Sequence, residues 1–413
     1  MSVSLERLDD AALSELGITI RNAGVSGAGG AGFPTHAKWK RIEEVDALLV
    51  NHQESEPNYY IDKWLGREHA RDFAALFDAL LDDPLDLIVI GAKHTKRDPW
   101  LHDLELATDA TVYRPDDLPI DPTEESGIVA AYTEDRYQFG MESVLLQQVA
   151  DVVIGQDLPM DHGWIVQNTE TLHRIYRTFE RAEPMTRKLV HVDGRVPRHR
   201  FLDVPIGTPA STLLEAAGRS PDDLDGITLL DGGPGWCFEI DANPFEFGVR
   251  KRTNCLLVEE TSRVEEHTLG DGRVNLLDID DWADRSHETE PTPLDPDRVR
   301  IPLVSNPDFE GVVERSRPIV DEGESVDVGE MIAAPARGAI SNAQHASIAG
   351  EVTEVTDTHV EISHRNGGGR ALDLTETDRP VYWSWCVDCG DYIAMPDADQ
   401  VVGNVRALCA DCQ

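Results

Sequence analysis

Apolar runs of strand length alternate with amphipathic segments through the first half of the chain. Residues 46–50 and 86–90 are predicted to be buried strands, and residues 68–81 between them have the apolar spacing of a helix. This succession predicts a parallel sheet with helices packed on it, a Rossmann-like α/β domain. Further helices are predicted for residues 1–20, 35–41, 141–154 and 168–180.

The pattern changes in the second half, where the apolar runs become shorter. Short strands around one helix predict a small α+β module, with segments at residues 189–192, 201–204, 211–217, 227–230 and 255–258. Residues 302–378 combine β-rich segments with glycine turns, as in a compact all-β sandwich. The predicted division is an α/β domain at 1–185, an α+β domain at 186–262, a charged linker at 263–300, an all-β domain at 301–380 and a tail at 381–413.

The strongly negative net charge of the chain limits the kinds of molecule that it is expected to bind. The 413 residues carry 77 acidic against 37 basic side chains, a formal net charge of -40, and only seven of the basic residues are lysine. Such a surface disfavours binding to nucleic acid or to anionic lipid. Carboxylates spread along the whole chain indicate adaptation to high salt, although an ordinary acidic protein is the alternative.

The sequence contains no candidate membrane span. No run of about 18 apolar residues occurs, and residues 1–10 lack a hydrophobic signal region. We therefore expect a cytoplasmic protein without direct membrane insertion, attached at most peripherally to the inner face of a membrane through a complex.

A glycine-rich run, residues 24–32, precedes the helix predicted for residues 35–41. Its spacing fits G-x-G-x-x-G, but residues 16–22 make a poor strand, so an ordinary dinucleotide-binding turn is not predicted. Glycine lets backbone N–H groups approach a phosphate or a flat ring, and Lys38 adds a cation. A flexible hinge is the alternative, which the stiff Phe33-Pro34 pair disfavours. We therefore expect the run to contact a phosphate-bearing ligand through Gly27, Gly29, Gly30 and Gly32.

Polar residues follow the first predicted strand directly. Asn51, Glu54 and Glu56 lie within seven residues of one another. Ligands of parallel sheets bind at the carboxyl ends of strands, where carboxylates and an amide can hydrogen-bond hydroxyl groups or the edge of a ring. Taken alone, this segment would be only an acidic turn.

Four segments together resemble a known family. In order and spacing, residues 27–39, 51–57, 137–143 and 167–172 look like the four flavin-site segments of the NADH-binding subunit of respiratory complex I, and they are similar to those of RnfC and PduS. The resemblance implies an FMN pocket formed by Gly27, Gly29, Lys38, Asn51, Glu54, Tyr137, Gly140, Glu142, Asn168 and Thr169. It places Phe33 and Glu56 on the side of the nicotinamide dinucleotide, as the residues nearest to catalysis.

The sequence departs from the complex I pattern at three positions. Gln53 stands in place of an Asp, Met141 in place of a Glu, and Arg41 near the position of a second stacking aromatic residue. RnfC-like sequences also vary at the first two positions. The resemblance therefore supports FMN binding better than NADH oxidation.

The second half extends the resemblance. Residues 188–260 resemble the SLBB β-grasp domain, and residues 302–378, particularly 340–350, look like the barrel-sandwich hybrid domain of RnfC and PduS, which is akin to lipoyl carriers. No lysine occurs in the second of these regions, so lipoylation and biotinylation are excluded. A scaffold role is predicted for it instead.

Two C-x-x-C pairs lie in the tail. Cys386 and Cys389 are separated from Cys409 and Cys412 by 19 residues. Four thiolates at this spacing fit a tetrahedral site, either structural zinc or a rubredoxin-like single iron. The Cys-x2-Cys-x2-Cys-x3-Cys runs with which family members bind 4Fe-4S clusters do not occur in the sequence, so the usual exit for electrons is in doubt.

These observations predict an FMN-dependent oxidoreductase that takes electrons from NAD(P)H and passes them to a partner. The partner would be a ferredoxin, a corrinoid protein or a membrane-associated complex. The alternative is a non-catalytic scaffold or assembly subunit that retains a degenerate flavin site and structural zinc.

Overall fold

The computed structural model describes residues 10–364, except Asp284 and Glu310, and the backbone of two short strands beyond them. These strands, Tyr382–Trp385 and Tyr392–Met395, pair antiparallel. The four tail cysteines predicted to bind metal lie outside the described residues. None of the described helices is long and apolar enough to cross a membrane.

The first unit is a five-stranded parallel sheet covered by helices. Its strands are β1 (Ala47–His52), β2 (Leu87–Lys93), β3 (Thr111–Tyr113), β4 (Gly127–Thr133) and β5 (Trp164–Asn168). Its helices are α1 (Asp10–Asn22), α2 (His36–Trp39), α3 (Ile61–Glu68), α4 (Ala70–Asp82), α5 (His102–Thr108), α6 (Glu142–Ala150) and α7 (Thr169–Arg181). This arrangement confirms the predicted Rossmann-like fold class.

Alternate residues of each central strand enter two separate cores, because successive side chains of a strand point to opposite faces. In β1, Leu48 and Val50 pack with α1, α3, α4 and α7, whereas Leu49 packs with α6. Both faces are therefore buried, and the strand reads in sequence as a continuous apolar run.

The strand order is β3-β4-β2-β1-β5, and every neighbouring pair is parallel. The chain thus adds β2 and β4 on one side of β1 and then crosses to add β5 on the other side. This reversal leaves a crevice at the carboxyl ends of β1 and β5, the place where ligands bind in such sheets.

Three strands of this sheet, β3, β4 and β5, were not predicted from sequence. β4 carries two adjacent alanines, which are weak strand formers, and its burial depends on its neighbours. β5 is only five residues long and passes directly into α7, so no turn residue separates the two elements.

The second unit contains an eight-stranded mixed sheet in the order β11-β12-β9-β8-β10-β6-β7-β13. Its strands are β6 (Arg187–Gly194), β7 (Arg200–Pro205), β8 (Ile227–Gly233), β9 (Trp236–Glu239), β10 (Cys255–Glu260), β11 (Thr268–Gly270), β12 (Arg273–Val274) and β13 (Thr292–Pro293). Helix α8 (Ala210–Ala216) packs on this sheet, and α9 (Thr261–Glu266) follows β10.

The segment predicted as a linker, residues 263–300, differs from that expectation. It contributes β11, β12 and β13 to the sheet, and it buries Leu276 and Trp282 in the core of the second unit. These two residues were not predicted to be part of a core, because the segment around them is charged and contains prolines.

The third unit is all-β, as predicted. One sheet has the order β14-β20-β19-β16, and a smaller one has the order β15-β17-β18. The strands are β14 (Arg298–Pro302), β15 (Arg317–Pro318), β16 (Ser325–Val326), β17 (Met331–Ala334), β18 (Gln344–His345), β19 (Gly350–Val355) and β20 (His359–Ser363).

A buried ion pair joins the first and second units. Lys188 in β6 places its Nζ 2.5 Å from Glu170 Oε2 in α7, and both side chains are almost fully buried. Asn254 Oδ1 also accepts from the lysine, at 2.5 Å. Burial lowers the pKa of Lys188, and the neighbouring Glu170 carboxylate opposes that shift.

Removing the carboxylate of this pair is expected to destabilise the protein. Glu170→Gln leaves Lys188 buried without its counter-ion, at a cost of about 3 kcal/mol in the free energy of unfolding. Glu44→Gln is the matched control, because it removes the same charge from an exposed pair with Arg41 and should cost less than about 1 kcal/mol. Urea denaturation at constant salt measures both, and equal effects would contradict the assigned role of the buried pair.

Candidate functional site

An open pocket of about 230 Å³ lies at the carboxyl ends of β1 and β5. Segments far apart in the sequence meet there, and the lining residues are Gly27, Gly29, Ala31, Phe33, Thr35, Lys38, Asn51, Gly140, Glu142, Val166, Gln167 and Asn168. Eight of the residues proposed from the sequence are thus brought together, namely Gly27, Gly29, Phe33, Lys38, Asn51, Gly140, Glu142 and Asn168.

The glycine-rich loop forms one wall of the pocket. Gly27 N–H donates to Phe33 O at 2.8 Å, and Gly32 N–H donates to Gly27 O at 2.8 Å, so the loop closes on itself. Ala28 N–H donates to Thr171 Oγ1 at 2.9 Å, which ties the loop to α7. The tip at Gly29 and Ala31 remains exposed to solvent.

Two glycines of this loop are required by space and backbone conformation. A Cβ on Gly29 would lie 2.8 Å from Asn168 Cγ, too close for any side chain. Gly32 has φ +67°, and a Cβ there would meet Asn306 Cβ at 2.8 Å. Gly30 and Gly32 do not line the pocket, so the loop presents Gly27 and Gly29 to it.

An ion pair between Lys38 and Glu142 lines the pocket. Lys38 Nζ is 2.7 Å from Glu142 Oε2 and donates to Val166 O at 3.1 Å. Both side chains retain partial exposure, 20% for Lys38 and 40% for Glu142. A ligand phosphate or oxygen can therefore approach the ammonium group, and a ligand hydroxyl or N–H group can approach the carboxylate.

Two asparagines have their amides fixed by neighbours. Asn51 Nδ2 donates to Gly140 O at 2.8 Å. Asn168 caps α7 by accepting from Thr171 N–H, and its Nδ2 donates to both carboxylate oxygens of Asp62, at 3.2 and 2.9 Å. Burial raises the pKa of Asp62 well above its ordinary value, and the negative charges of Glu54 and Glu170 add to that shift.

Thr35 was not proposed from the sequence. Its Oγ1 is buried and has no hydrogen-bond partner among the described residues, yet the residue lines the pocket. Such a hydroxyl is costly to bury unless a ligand or water completes its hydrogen bond. Gln167, another lining residue, accepts from Trp39 Nε1 at 3.2 Å. Nothing in the local sequence distinguishes Thr35, because its orientation depends on the closed glycine loop before it.

Glu54 and Thr169 are close to the pocket but do not line it. The Glu54 carboxylate accepts from the N–H groups of Asp62 and Lys63, at 2.9 and 3.3 Å, and so completes the first turn of α3. Thr169 Oγ1 donates to Asn51 O at 3.3 Å and is 2.8 Å from His52 Nδ1. Both residues therefore support the strand ends rather than face a ligand.

Glu56 and Tyr137 lie beneath a turn of the second unit. Tyr137 Oη donates to Glu56 Oε1 at 2.6 Å, and Gly235 N–H donates to Glu56 Oε2 at 2.9 Å. A Cβ on Gly233 would lie 2.6 Å from Glu56 Cδ, so the turn packs directly on this carboxyl. Burial raises the pKa of Glu56 to about 7, although these hydrogen bonds oppose the shift. Glu56 is thus not brought to the pocket with Phe33.

The three departures from the complex I pattern have structural partners. Gln53 is buried and donates to Thr133 Oγ1 at 3.1 Å. Arg41 pairs with Glu44 and Asp161, outside the pocket. Met141 is 48% exposed between two lining residues, so it lies at the rim of the pocket.

The residues present fit a ligand with a phosphate, a hydroxylated chain and a flat ring. The glycine loop leaves no room for a Cβ at Gly29, Lys38 supplies a cation, and the Thr35 hydroxyl has no partner in the part of the chain that the structure describes. The side-chain amides of Asn51 and Asn168 add donors and acceptors, and their hydrogen bonds fix the direction in which these groups point. These are the features of a mononucleotide-type cofactor pocket.

Comparisons with known proteins agree with this geometry. Residues 20–177 match the Nuo51 FMN-binding domain, and residues 293–368 match the RnfC barrel sandwich hybrid domain. Over 252 residues the chain is 30% identical to a subunit of the ion-translocating oxidoreductase complex of Pseudomonas aeruginosa, which aligns 60% of this chain with 30% of that protein. Over 243 residues it is 31% identical to the cobalamin reductase PduS of Salmonella typhimurium, which aligns 58% of this chain with 48% of that protein.

The chain thus aligns with half or less of the length of these curated relatives. A crystal structure of an NAD+-reducing NiFe hydrogenase in the H2-reduced state superposes with a TM-score of 0.48 and 20% identity, covering 64% of this chain and 49% of that chain.

The parallel sheet and the pocket at its strand reversal define a protein with a Rossmann-like flavin domain. Within that class the first unit is similar to the Nuo51 FMN-binding domain and the third unit to the RnfC barrel sandwich hybrid domain, and about 60% of the chain is similar to a subunit of an ion-translocating oxidoreductase complex and to PduS.

The pKa of Glu56 gives a prediction about the pH dependence of stability. The folded chain binds this proton more tightly than the unfolded chain, whose ordinary value is 4.5. Stability contributed by the group is therefore lost as the pH rises from about 4.5 to about 7. Relative to Glu56→Gln, the wild-type protein should lose roughly 2–3 kcal/mol of unfolding free energy between about pH 5 and pH 8.

Urea denaturation at a series of pH values in constant salt measures this difference. Glu239→Gln is the control, because it removes an exposed carboxylate of the adjacent strand β9. A pH-independent difference between wild type and Glu56→Gln would contradict the raised pKa.

Proposed function

We propose that this chain binds FMN in the pocket between β1 and β5 and serves as an electron-transfer subunit between NAD(P)H and a redox partner. The observation that carries the proposal is the convergence of four distant sequence segments on one pocket at the strand reversal. The match of residues 20–177 to an FMN-binding domain supports the same ligand.

The residues that would hold FMN are those fixed around the pocket. Gly27 and Gly29 allow close approach of the loop backbone, and Lys38 offers the cation for an anionic group. Thr35 offers its hydroxyl, which lines the pocket, and Asn51 offers its amide. When bound, FMN supplies the redox chemistry, accepting two electrons as a hydride and releasing them singly.

Phe33 is the proposed contact for the nicotinamide. It lines the pocket, is partly exposed, and packs edge-on against Phe309 with ring centroids 5.4 Å apart and an interplanar angle of 75°. The third unit therefore contacts this ring through Phe309. Glu56 is proposed to act differently, by fixing Tyr137 and the turn at Gly235 beside the pocket.

Electrons are proposed to leave through a partner protein. Among the described residues the cysteines are Cys237 and Cys255, and both are buried. Relatives are named as a subunit of an ion-translocating complex and as a cobalamin reductase. A ferredoxin, a corrinoid protein or a membrane-associated complex with a basic surface would complement the net charge of -40. We propose that the tail cysteines Cys386, Cys389, Cys409 and Cys412 hold structural zinc.

The composition of the three sets of sheets supports a division into domains. We propose an FMN domain up to residue 185, a second domain from 186 that extends through β13, and a third from β14 onwards.

Lys38→Gln is expected to weaken FMN binding by roughly 10- to 100-fold, because a charge-assisted hydrogen bond contributes about 1.5–3 kcal/mol. Lys40→Gln is the matched control, since Lys40 is exposed and does not line the pocket. Titration of the flavin-free protein with FMN in high salt, followed by the shift of the flavin absorption band, measures both affinities. Anaerobic addition of NADH to the loaded protein then tests bleaching of that band.

A wild-type protein that takes up no FMN would overturn the proposal and favour a non-catalytic scaffold. FMN uptake without bleaching by NADH or NADPH would retain the cofactor and reject the electron donor. Equal FMN affinity of the two lysine variants would reject the assigned pocket.

A further inference from the structure

A second polar cluster lies outside the FMN pocket, where α4 packs against α7. It comprises His69, which precedes α4, Asp72 in the first turn of α4, and His173 in α7. One ligand-capable atom from each residue lies within 4.8 Å of the other two. His69 Nδ1 is 2.8 Å from Asp72 Oδ2, and His173 Nε2 is 3.7 Å from the same oxygen.

His173 is the residue of this cluster that needs an explanation. It is only 5% exposed, and neither of its ring nitrogens has a hydrogen-bond partner among the described residues. A neutral imidazole has one N–H donor and one lone pair, and leaving such groups buried without partners is costly. Its neighbours are the rings of His69, 4.3 Å away between centroids, and Phe73, 6.0 Å away. An apolar residue would fill this position without that cost.

We propose that His69, Asp72 and His173 bind one divalent transition-metal ion, with Zn²⁺ as the expected occupant. Two imidazoles and one carboxylate are a ligand set that such ions prefer, with remaining positions open to water. The side chains of His69 and Asp72 are 26% and 23% exposed, so an ion and its water ligands can reach the cluster from solvent. His173 supplies the buried ligand.

The described residues contain a second cluster of three potential metal ligands. It differs from the first in the hydrogen bonds that its ligand atoms make. It comprises Asp193, His199 and His287. Both ring nitrogens of His199 already have partners, Nδ1 with Glu288 N–H at 3.0 Å and Nε2 with His191 Nδ1 at 3.1 Å. In that cluster His287 Nε2 has no hydrogen-bond partner among the described residues while both nitrogens of His199 do, whereas both ring nitrogens of His173 lack a partner there.

The proposed ion would lie between α4 and α7, close to the FMN pocket. His173 lies one helical turn after Thr169, at the end of α7 that follows Asn168 of the FMN pocket. An ion shared by α4 and α7 would fix the two helices together near that pocket. The proposal concerns metal binding alone and does not depend on whether FMN binds.

Metal content and the spectrum of the cobalt-substituted protein test the proposal on the full chain. Metal is removed with a chelator in high salt, and the protein is then loaded with Zn²⁺ or Co²⁺ and freed of excess ion. We expect His173→Gln and Asp72→Asn to retain about one Zn²⁺ fewer per chain than wild type. His162→Gln is the matched control, because His162 pairs with Asp157 at 3.3 Å and lies outside both three-ligand clusters.

Cobalt separates this site from the tail cysteines. Thiolate ligands give Co²⁺ an intense near-ultraviolet charge-transfer band, whereas imidazole and carboxylate ligands give only weak visible bands. We expect wild type and His162→Gln to show visible bands that Asp72→Asn loses while any thiolate band is unchanged. Equal zinc content in all variants, or wild-type cobalt bands of thiolate type alone, would overturn the proposal. Asp72 is partly exposed, so its variant provides the test even if His173→Gln does not fold.

Discussion

The reversal of strand order at β1 is the constraint on which the site depends. Because β2 extends the sheet to one side of β1 and β5 to the other, the connections leaving their carboxyl ends diverge and leave a crevice. Asn51 is the penultimate residue of β1 and pairs with Asn168, the last residue of β5, so the register of the two strands places both amides at that crevice. The glycine loop and Lys38 close it from the side of α2.

The third unit supports the glycine loop from behind. Asn342 Nδ2 donates to Val25 O at 2.9 Å and to Ser26 Oγ at 2.8 Å, and Asn306 Nδ2 donates to Ala31 O at 2.8 Å. Arg21 donates in return to the third unit, to Ala336 O at 2.6 Å. Hydrogen bonds from the third unit, which matches the RnfC barrel sandwich hybrid domain, therefore hold the two ends of the loop in place.

Buried charges connect the pocket to the second unit. Asn168 is oriented by Asp62, and the pKa of Asp62 responds to Glu170, which is paired with Lys188 of β6. Glu170 and Lys188 compensate one another, since an isolated charge would be costly in the interior, whereas burial and the Glu170 carboxylate disfavour the charged form of Asp62. Glu56 is a further buried carboxyl group, and it accepts hydrogen bonds from Tyr137 and from the Gly235 amide. Buried polar residues thus take part both in the wall of the pocket and in the contact between the first and second units.

The sequence by itself determined the elements whose signal is local. The apolar runs at β1 and β2 predicted strands, the glycine run predicted a ligand loop, and the four resembling segments predicted most of the pocket lining, including Lys38 and Glu142. Tertiary structure decided the rest. Glu54 accepts hydrogen bonds from the first turn of α3, the turn at Gly235 covers Glu56, and the Thr35 hydroxyl has no hydrogen-bond partner among the described residues. Those outcomes depend on which distant backbone groups pack against each side chain, and contacts of that kind have no signature in the neighbouring residues.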